Sequence, residues 1–360
     1  MKKNRRESAV DVKTPDRELS ACTFSKTCLM LLVLFYHSIL YFSGTWFTRD
    51  PAEVSVPLTY LARWLNTFHI YGFALVSGYL FYHGRFERSK YPTYLGFLAV
   101  KAKRLLLPYA VVAALWVAPI HWYFFRCPTS ELVDKYLLGK SASQLWFLLM
   151  LFGVFAIVYP LAEFFRKHTL LGALVALSSY AASLYLPWRF LSYYGLRNAL
   201  AYLSVFFLGF VLRQYRKAAP VRLLHRVPAA VPVLLHVGLF ALWQHLSTLT
   251  FHSAAAPLLM QALRLAVTTG GALMAYLSLR RLAFLVRWER PAFWHLSRCS
   301  MPIYLFHQQI VYVLVTLLDG TMSPYLQVPI VTVGALSLSW ALSELLLKFR
   351  YTRPLIGEKM

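Results

Sequence analysis

Acidic residues are scarce in this 360-residue chain, which has 14 Asp and Glu against 37 Lys and Arg and a formal net charge of +23. Only 14% of its residues are charged and 59% are hydrophobic, which excludes an ordinary water-soluble domain. Its apolar runs are long enough to cross a ~30 Å hydrocarbon core as helices, and they do not alternate as barrel strands do. The composition therefore predicts an all-α, polytopic integral membrane protein.

The excess of basic over acidic residues does not require that the protein bind nucleic acid. Lys and Arg collect in the cytoplasmic loops of membrane proteins, and basic segments beside the spans attract anionic lipid headgroups. Membrane lipids are therefore expected partners, and nucleic acid is not.

Cysteines and familiar catalytic motifs are also few. Cys22, Cys28, Cys127 and Cys299 have neither CxxC spacing nor a histidine at ligand spacing, so we expect no disulfide framework and no metal site. Ser-His-Asp sets, Walker loops, GxGxxG and HExxH are lacking. What remains is acid–base chemistry by histidine, whose unperturbed pKa of about 6.5 suits proton transfer from a hydroxyl. Residues 1–20 do not have the pattern of a signal peptide, so the first span is expected to remain in the mature protein.

Hydropathy divides the chain into ten predicted spans with both termini in the cytoplasm. The loops after spans 2, 4, 6, 8 and 10 are basic, as the positive-inside rule requires of cytoplasmic loops. We predict a cytoplasmic polar tail at residues 1–23, a transmembrane domain at 24–348 and a cytoplasmic basic tail at 349–360. The spans are predicted at residues 24–43, 58–82, 105–125, 145–165, 170–186, 200–212, 229–246, 257–279, 301–318 and 328–347.

The first span carries a cation at its start and a histidine near its middle. Lys26 and His37 are eleven residues apart, so on an α-helix they are separated by about 20° in azimuth and ~16 Å along the axis. An ionisable group held in hydrocarbon is costly, which makes His37 a functional-site hypothesis. The alternative is a histidine that only hydrogen-bonds a neighbouring helix.

Two further helix faces carry histidine. In span 2, Asn66, His69 and Ser77 share one face; Ser77 and the adjacent Gly78 are better explained as a packing notch. His69 is either a site residue or a packing residue.

In span 9, Tyr304, His307 and Gln308 share one face, although a His–Gln pair can also serve only to join helices. Ser300 is predicted to cap this helix. Isolated His121, His236 and His245 lack such a face and are predicted to be structural.

Span 3 is preceded by the basic segment HGRFERSKYPTYLGFLAVKAKR. Its second half predicts an interfacial amphipathic helix whose Lys101, Lys103 and Arg104 side chains reach towards the membrane surface.

Taken together, these segments resemble the membrane acyltransferase 3 family. The resemblance rests on the cation-x10-His helix, FALVSGYLF, KRLLLPY, QLWFLLMLF, VFFLGFVLR and SMPIYLFHQ, which come in the order of that family and cover nearly the whole chain. The branch it most resembles contains fucose 4-O-acetylases and exopolysaccharide O-acyltransferases.

The resemblance implies O-acylation of a cell-envelope glycan or lipid-linked saccharide at the bacterial inner membrane, with acetyl-CoA as the cytoplasmic donor. It assigns His37 as the catalytic histidine and Arg104 as a donor-binding residue. It also assigns His307 as the histidine of span 9. Lys26 stands where the family has arginine, a change that keeps the charge and loses the bidentate fork that suits phosphate.

On this basis His37 is expected to be the general base towards the acceptor hydroxyl. His69, or Tyr304 with His307, is expected to polarise the thioester carbonyl or to orient His37. Lys26 and Arg104 are expected to hold the phosphates of the donor.

The alternative function is a transporter or flippase of lipid-linked glycan that makes no bond. Many transporters have inverted repeats with broken Gly/Pro helices at matching positions, and this sequence has no such repeat. Acyl-CoA-dependent transfer by the purified protein would separate the two functions.

Overall fold

A computed structural model describes residues 17–44, 46, 50–187, 189–250 and 255–358, and within these ranges the regular structure is helical, with no β-strand. The α-helices are α1 (Arg17–Leu40), α2 (Val56–Asn66), α3 (His69–Tyr82), α4 (Tyr94–Val112), α5 (Ala118–Phe125), α6 (Thr129–Leu132), α7 (Trp146–Lys167), α8 (Thr169–Tyr185), α9 (Leu196–Gln214), α10 (Ala219–Leu224), α11 (Ala230–Thr248), α12 (Ala256–Leu285), α13 (Pro291–Leu318) and α14 (Pro324–Lys348).

Eight of the described helical segments are long and apolar enough to cross a membrane. They correspond to predicted spans 1, 3, 4 and 6 to 10, so the prediction of an all-α, polytopic membrane protein is confirmed. Predicted span 5 is α8, an apolar helix of 17 residues.

Predicted span 2 is wrong as a single helix, because it consists of α2 and α3. The two helices are separated by Thr67 and Phe68. The Thr67 hydroxyl donates to the Trp64 carbonyl at 2.6 Å, and the Thr67 amide donates to the same oxygen at 3.0 Å. This local pairing competes with the regular helical pattern and allows α3 to begin at His69.

The predicted interfacial helix before span 3 is also not a separate element. A π-helical turn, Ala113–Val117, joins α4 and α5 into one apolar segment from Tyr94 to Phe125. KAKR therefore lies within a continuous helix, and the direction of each cation depends on the helix face it occupies.

Several helix ends differ from the predicted boundaries. α1 begins at Arg17, so the predicted boundary at residue 24 falls inside it, and residues 1–16 lie outside the described ranges. α13 begins at Pro291, so Ser300 is not an N-cap; its hydroxyl donates to the Leu296 carbonyl within the helix.

α1 lies inside the bundle and packs against α3, α12 and α13. α3 and α9 cross unusually closely: a Cβ added to Gly78 would lie 1.9 Å from the Phe206 carbonyl oxygen, and one added to Gly209 would lie 1.8 Å from that of Leu75. Only glycine permits this approach. The predicted packing role of Gly78 agrees with this geometry.

α9 carries a buried arginine near its C-terminal end. Arg213 is 2% exposed; its Nε donates to Glu87 at 3.0 Å and its Nη1 to the Tyr79 hydroxyl at 3.1 Å. Burial alone would raise the pKa of Glu87, but the hydrogen bonds from Arg213 and His83 outweigh burial and lower the pKa to about 2. This ion pair joins α9 to the end of α3.

The bundle has two distinct ends, here called the loop end and the basic end. At the loop end, the Ala52 amide donates a hydrogen bond to the Asp319 carboxylate, and the Tyr194 amide donates one to the Leu138 carbonyl. At the basic end, Glu18 pairs with Arg280. The C-terminal segment returns to the basic end, where Glu358 pairs with Arg298 at 3.3 Å.

Candidate active site

His37 of α1 contacts His307 of α13 inside the bundle. The Nδ1–H group of His37 is 2.9 Å from the Val33 carbonyl oxygen, and a carbonyl oxygen can only accept. Likewise, the Nδ1 atom of His307 is 2.8 Å from the Tyr304 carbonyl oxygen. Both neutral rings therefore carry their proton on Nδ1.

This tautomer assignment determines what each ring can do. The Nε2 atom of His307 is an acceptor, 3.1 Å from the Nδ1–H group of His37, which it shares with Val33. The Nε2 atom of His37 then keeps a lone pair. A histidine with Nδ1–H anchored and Nε2 unprotonated is suited to general-base chemistry.

His69 and two aromatic residues complete the surroundings of His37. The Nδ1–H of His69 donates to the Leu65 carbonyl at 2.6 Å. The Tyr36 ring is 4.6 Å from the His69 ring and 5.2 Å from the His37 ring, and the Trp46 ring is 5.5 Å from the His37 ring. These rings restrict the orientation of both imidazoles.

A cavity of about 640 Å³, here called the histidine cavity, reaches this group from the loop end. His37 is half-buried and lines it. The polar and aromatic residues of its lining include His37, His69, Trp46, Asn66, His121, Ser143, Gln144, Trp146, Tyr304, Gln308 and Tyr312.

A second cavity of about 1050 Å³, here called the basic cavity, lies at the basic end. Six Lys and Arg residues line it against one carboxylate, Glu358, which is already paired with Arg298. Such an excess of cations suits a polyanionic ligand. The six cations are Lys26, Arg88, Lys90, Lys101, Arg104 and Arg298.

The two cavities meet at Ile70 and Tyr304, each of which lines both. The Tyr304 hydroxyl donates a hydrogen bond to the main-chain carbonyl of Gln144. The side-chain amides of Gln144 and Gln309 form hydrogen bonds with one another. Tyr304 is thereby fixed as part of the wall between the histidine cavity and the basic cavity.

The structure brings the six sequence-predicted site residues into these two neighbouring places. Three of them line the histidine cavity and three line the basic cavity, because Tyr304 lines both, while His307 lines neither and contacts the ring of His37. The other two residues of the histidine cavity are His37 and His69, and the other two of the basic cavity are Lys26 and Arg104.

Sequence reasoning missed Lys101 and His121 as lining residues. The Lys101 ammonium is 3.8 Å from the centre of the Phe155 ring and lines the basic cavity, so its assignment to the membrane surface is wrong. Its spacing of three residues from Arg104 is a signal for a shared helix face. His121 lines the histidine cavity, whereas His236 packs against Trp64.

Within the described ranges, no group of three or more His, Cys, Asp or Glu side chains is arranged to hold a metal ion.

The fold and these two cavities define a polytopic membrane protein with a histidine site inside its helix bundle. The sequence model of the acyltransferase 3 family, described as an acyltransferase domain, matches residues 23–344. The chain belongs to this family, and it is a membrane acyltransferase. No curated protein and no solved structure matches the chain.

Proposed function

We propose that the protein transfers an acetyl group from acetyl-CoA to a hydroxyl of a cell-envelope or exported glycan, with His37 as the general base. One observation carries the proposal: the histidine cavity meets the basic cavity, with its six cations, at Ile70 and Tyr304. An imidazole that can accept a proton thus lies next to a site suited to the phosphates of CoA.

The donor occupies the basic cavity in this proposal. Lys26, Lys101 and Arg104 contact the phosphates, where charge-assisted hydrogen bonds are strongest. The pantetheine arm then follows the apolar part of the lining, which includes Met30 and Leu148, and presents the thioester at the boundary with the histidine cavity.

The acceptor enters the histidine cavity from the loop end. The Nε2 atom of His37 takes the proton of the acceptor hydroxyl as its oxygen attacks the thioester carbonyl carbon. The tetrahedral intermediate collapses with cleavage of the C–S bond, and protonated His37 returns the proton to the CoA sulfur. The products are the O-acetyl ester and free CoA.

His307, His69 and Tyr304 support this step in different ways. His307 fixes the orientation of His37 through their direct contact. His69 faces the same cavity with Nε2 unprotonated and accepts a hydrogen bond from a neighbouring hydroxyl of the acceptor. The hydroxyl proton of Tyr304 is engaged by Gln144, which supports a positioning role for Tyr304 over polarisation of the thioester.

We place the basic end in the cytoplasm, where acetyl-CoA is made, and the loop end at the outer side of the bacterial inner membrane. The positive-inside rule supports this orientation because the predicted inside loops are basic. The acceptor is then a glycan or lipid-linked saccharide at the outer surface.

The test uses purified protein with acetyl-CoA that carries a radiolabelled acetyl group, together with glycan from cells that lack the protein. We expect label to appear in the glycan as an ester that mild base releases. A transporter or flippase of lipid-linked glycan would move the glycan across the membrane of vesicles without incorporating label into it, and that result would refute the proposal.

A further inference from the structure

The side chain of Gln308 is buried, and only one of its two polar atoms has hydrogen-bond partners. It is 3% exposed, and its Nε2 atom donates to the Ser143 hydroxyl at 2.9 Å and the Tyr312 hydroxyl at 2.6 Å. Its Oε1 atom has no hydrogen-bond partner among the described residues. A buried amide oxygen without a partner is costly, and Gln308 lines the histidine cavity.

The loop that holds Gln308 is strained. Ser143 has a φ of 51°, in the left-handed region that non-glycine residues seldom adopt. Backbone strain of this kind persists where the surrounding structure enforces it, and it concentrates at functional sites. Here the strained residue supplies the hydroxyl that holds the Gln308 amide.

His121 provides a second unsatisfied polar atom in the same cavity. Its Nδ1 atom pairs with the Tyr136 hydroxyl at 3.0 Å, while its buried Nε2 atom has no partner among the described residues. In the same cavity, the Trp46 and Tyr312 rings lie 4.7 Å apart and form an aromatic wall.

The charges of the histidine cavity are confined to one segment. Its charged lining residues other than histidine are Arg126, Glu131 and Lys135, and Glu131 pairs with Lys135 at 2.5 Å. Around Gln308 the polar lining consists of hydroxyl and amide groups and imidazoles. This part of the cavity suits an uncharged ligand that has both hydroxyl groups and an apolar face.

We infer that Gln308 and His121 form a subsite for the non-reacting hydroxyls of a saccharide acceptor, with Trp46 against its ring. This inference rests on the proposed function and deepens it. A hydroxyl beside the reacting one donates to the Gln308 oxygen, and a more distant hydroxyl pairs with the His121 Nε2 atom. Gln308 therefore selects acceptors with a second hydroxyl next to the one that is acetylated.

The test measures binding without turnover. The purified full chain is mixed with methyl glycosides of glucose, galactose, mannose and fucose, and with their monodeoxy analogues, and saturation transfer from protein to ligand is followed by NMR. We expect one or more glycosides to bind. Removal of one particular hydroxyl should then weaken binding about tenfold, the effect of one lost hydrogen bond.

Gln308→Met preserves volume and should weaken binding of the parent glycoside to a similar extent, with no further loss for that deoxy analogue. His121→Phe removes the other unpartnered atom and should also weaken binding of the parent glycoside. Gln327→Leu is the matched control, because Gln327 is a buried glutamine with an unpartnered Oε1 that lines neither cavity, and it should leave binding unchanged.

Two results would overturn the inference: no glycoside bound by the wild type, or unchanged binding in Gln308→Met, which would mean that Oε1 holds only water. Cleavage of acetyl-CoA is assayed in parallel. Glycoside binding without any acetyl transfer would refute the proposed function and leave the subsite standing, so the two failures are distinguishable.

Discussion

The Nε2 atom of His307 lies 3.1 Å from the Nδ1 atom of His37, although the two residues are 270 positions apart. In the proposed mechanism, this contact prepares His37 to act as a base. Its Nδ1 proton is held by Val33 and His307, so the ring is fixed with its unprotonated Nε2 available. Second partners that fix the tautomer of a histidine are a general feature of such sites.

Substitution of His307 should therefore reduce turnover more than binding. His307→Ala leaves His37 without its orienting partner, and we expect kcat to fall roughly 10²-fold. The KM values for acetyl-CoA and for the acceptor should change by no more than about twofold. Steady-state kinetics measures both quantities. His307→Gln, whose amide oxygen can accept the same proton, should recover part of the loss; equal loss in both variants would argue against the orienting role.

Lys101 should contribute to donor binding. Loss of its charge in Lys101→Met should raise the dissociation constant of CoA roughly tenfold, since a hydrogen bond to a charged group is worth about 1.5–3 kcal/mol. Titration calorimetry measures this constant. Lys103→Met is the matched control, because Lys103 is exposed on the same helix and lines neither cavity. Equal effects of the two substitutions would show that only general charge matters.

The close crossing of α3 and α9 predicts that Gly78→Ala and Gly209→Ala destabilise the protein. Each new methyl group would meet a backbone carbonyl at under 2 Å, and overpacking of this kind costs roughly 1–3 kcal/mol or more. The thermal midpoint in detergent should fall in both variants. Gly238→Ala should leave it unchanged or raise it, because no atom lies within 4 Å of the added Cβ and alanine favours a helix.

The Arg213–Glu87 pair predicts a loss of stability in acid. The pKa of Glu87 is lowered from 4.5 to about 2 in the folded protein, so its carboxylate stabilises the fold fully above about pH 4.5. That contribution is lost as the pH falls towards 2. Glu87→Gln should lower the thermal midpoint at neutral pH and flatten its decline between pH 5 and pH 2. The exposed Glu163 provides the control, and Glu163→Gln should keep the wild-type slope.

Much of the fold could be predicted because a membrane imposes one strong constraint. Backbone groups in hydrocarbon must bond within their own helix, so hydropathy alone locates the long helices. The break at Thr67 was missed because it depends on a local competition for the Trp64 carbonyl within an apolar run. The start of α13 at Pro291 was missed because its first turns are less apolar than the rest of the helix.

The site was predictable only in part. Lys26 and His37 share a helix face by spacing alone, whereas the contact of His37 with His307 has no local signal. Lys101 was misassigned because long cations near a helix end commonly reach the membrane surface, and only the packing of α4 against α7 directs its ammonium to Phe155. His121 was missed because its partner, Tyr136, lies in a separate helical turn after α6.

The most direct test of the account is acetyl transfer by the His37→Ala variant. Incorporation of labelled acetyl into glycan should fall to background while the amount of protein in the membrane stays at the wild-type level. His245→Ala, which removes an exposed histidine that lines neither cavity, should retain full activity. Wild-type incorporation by the His37→Ala protein would contradict the account.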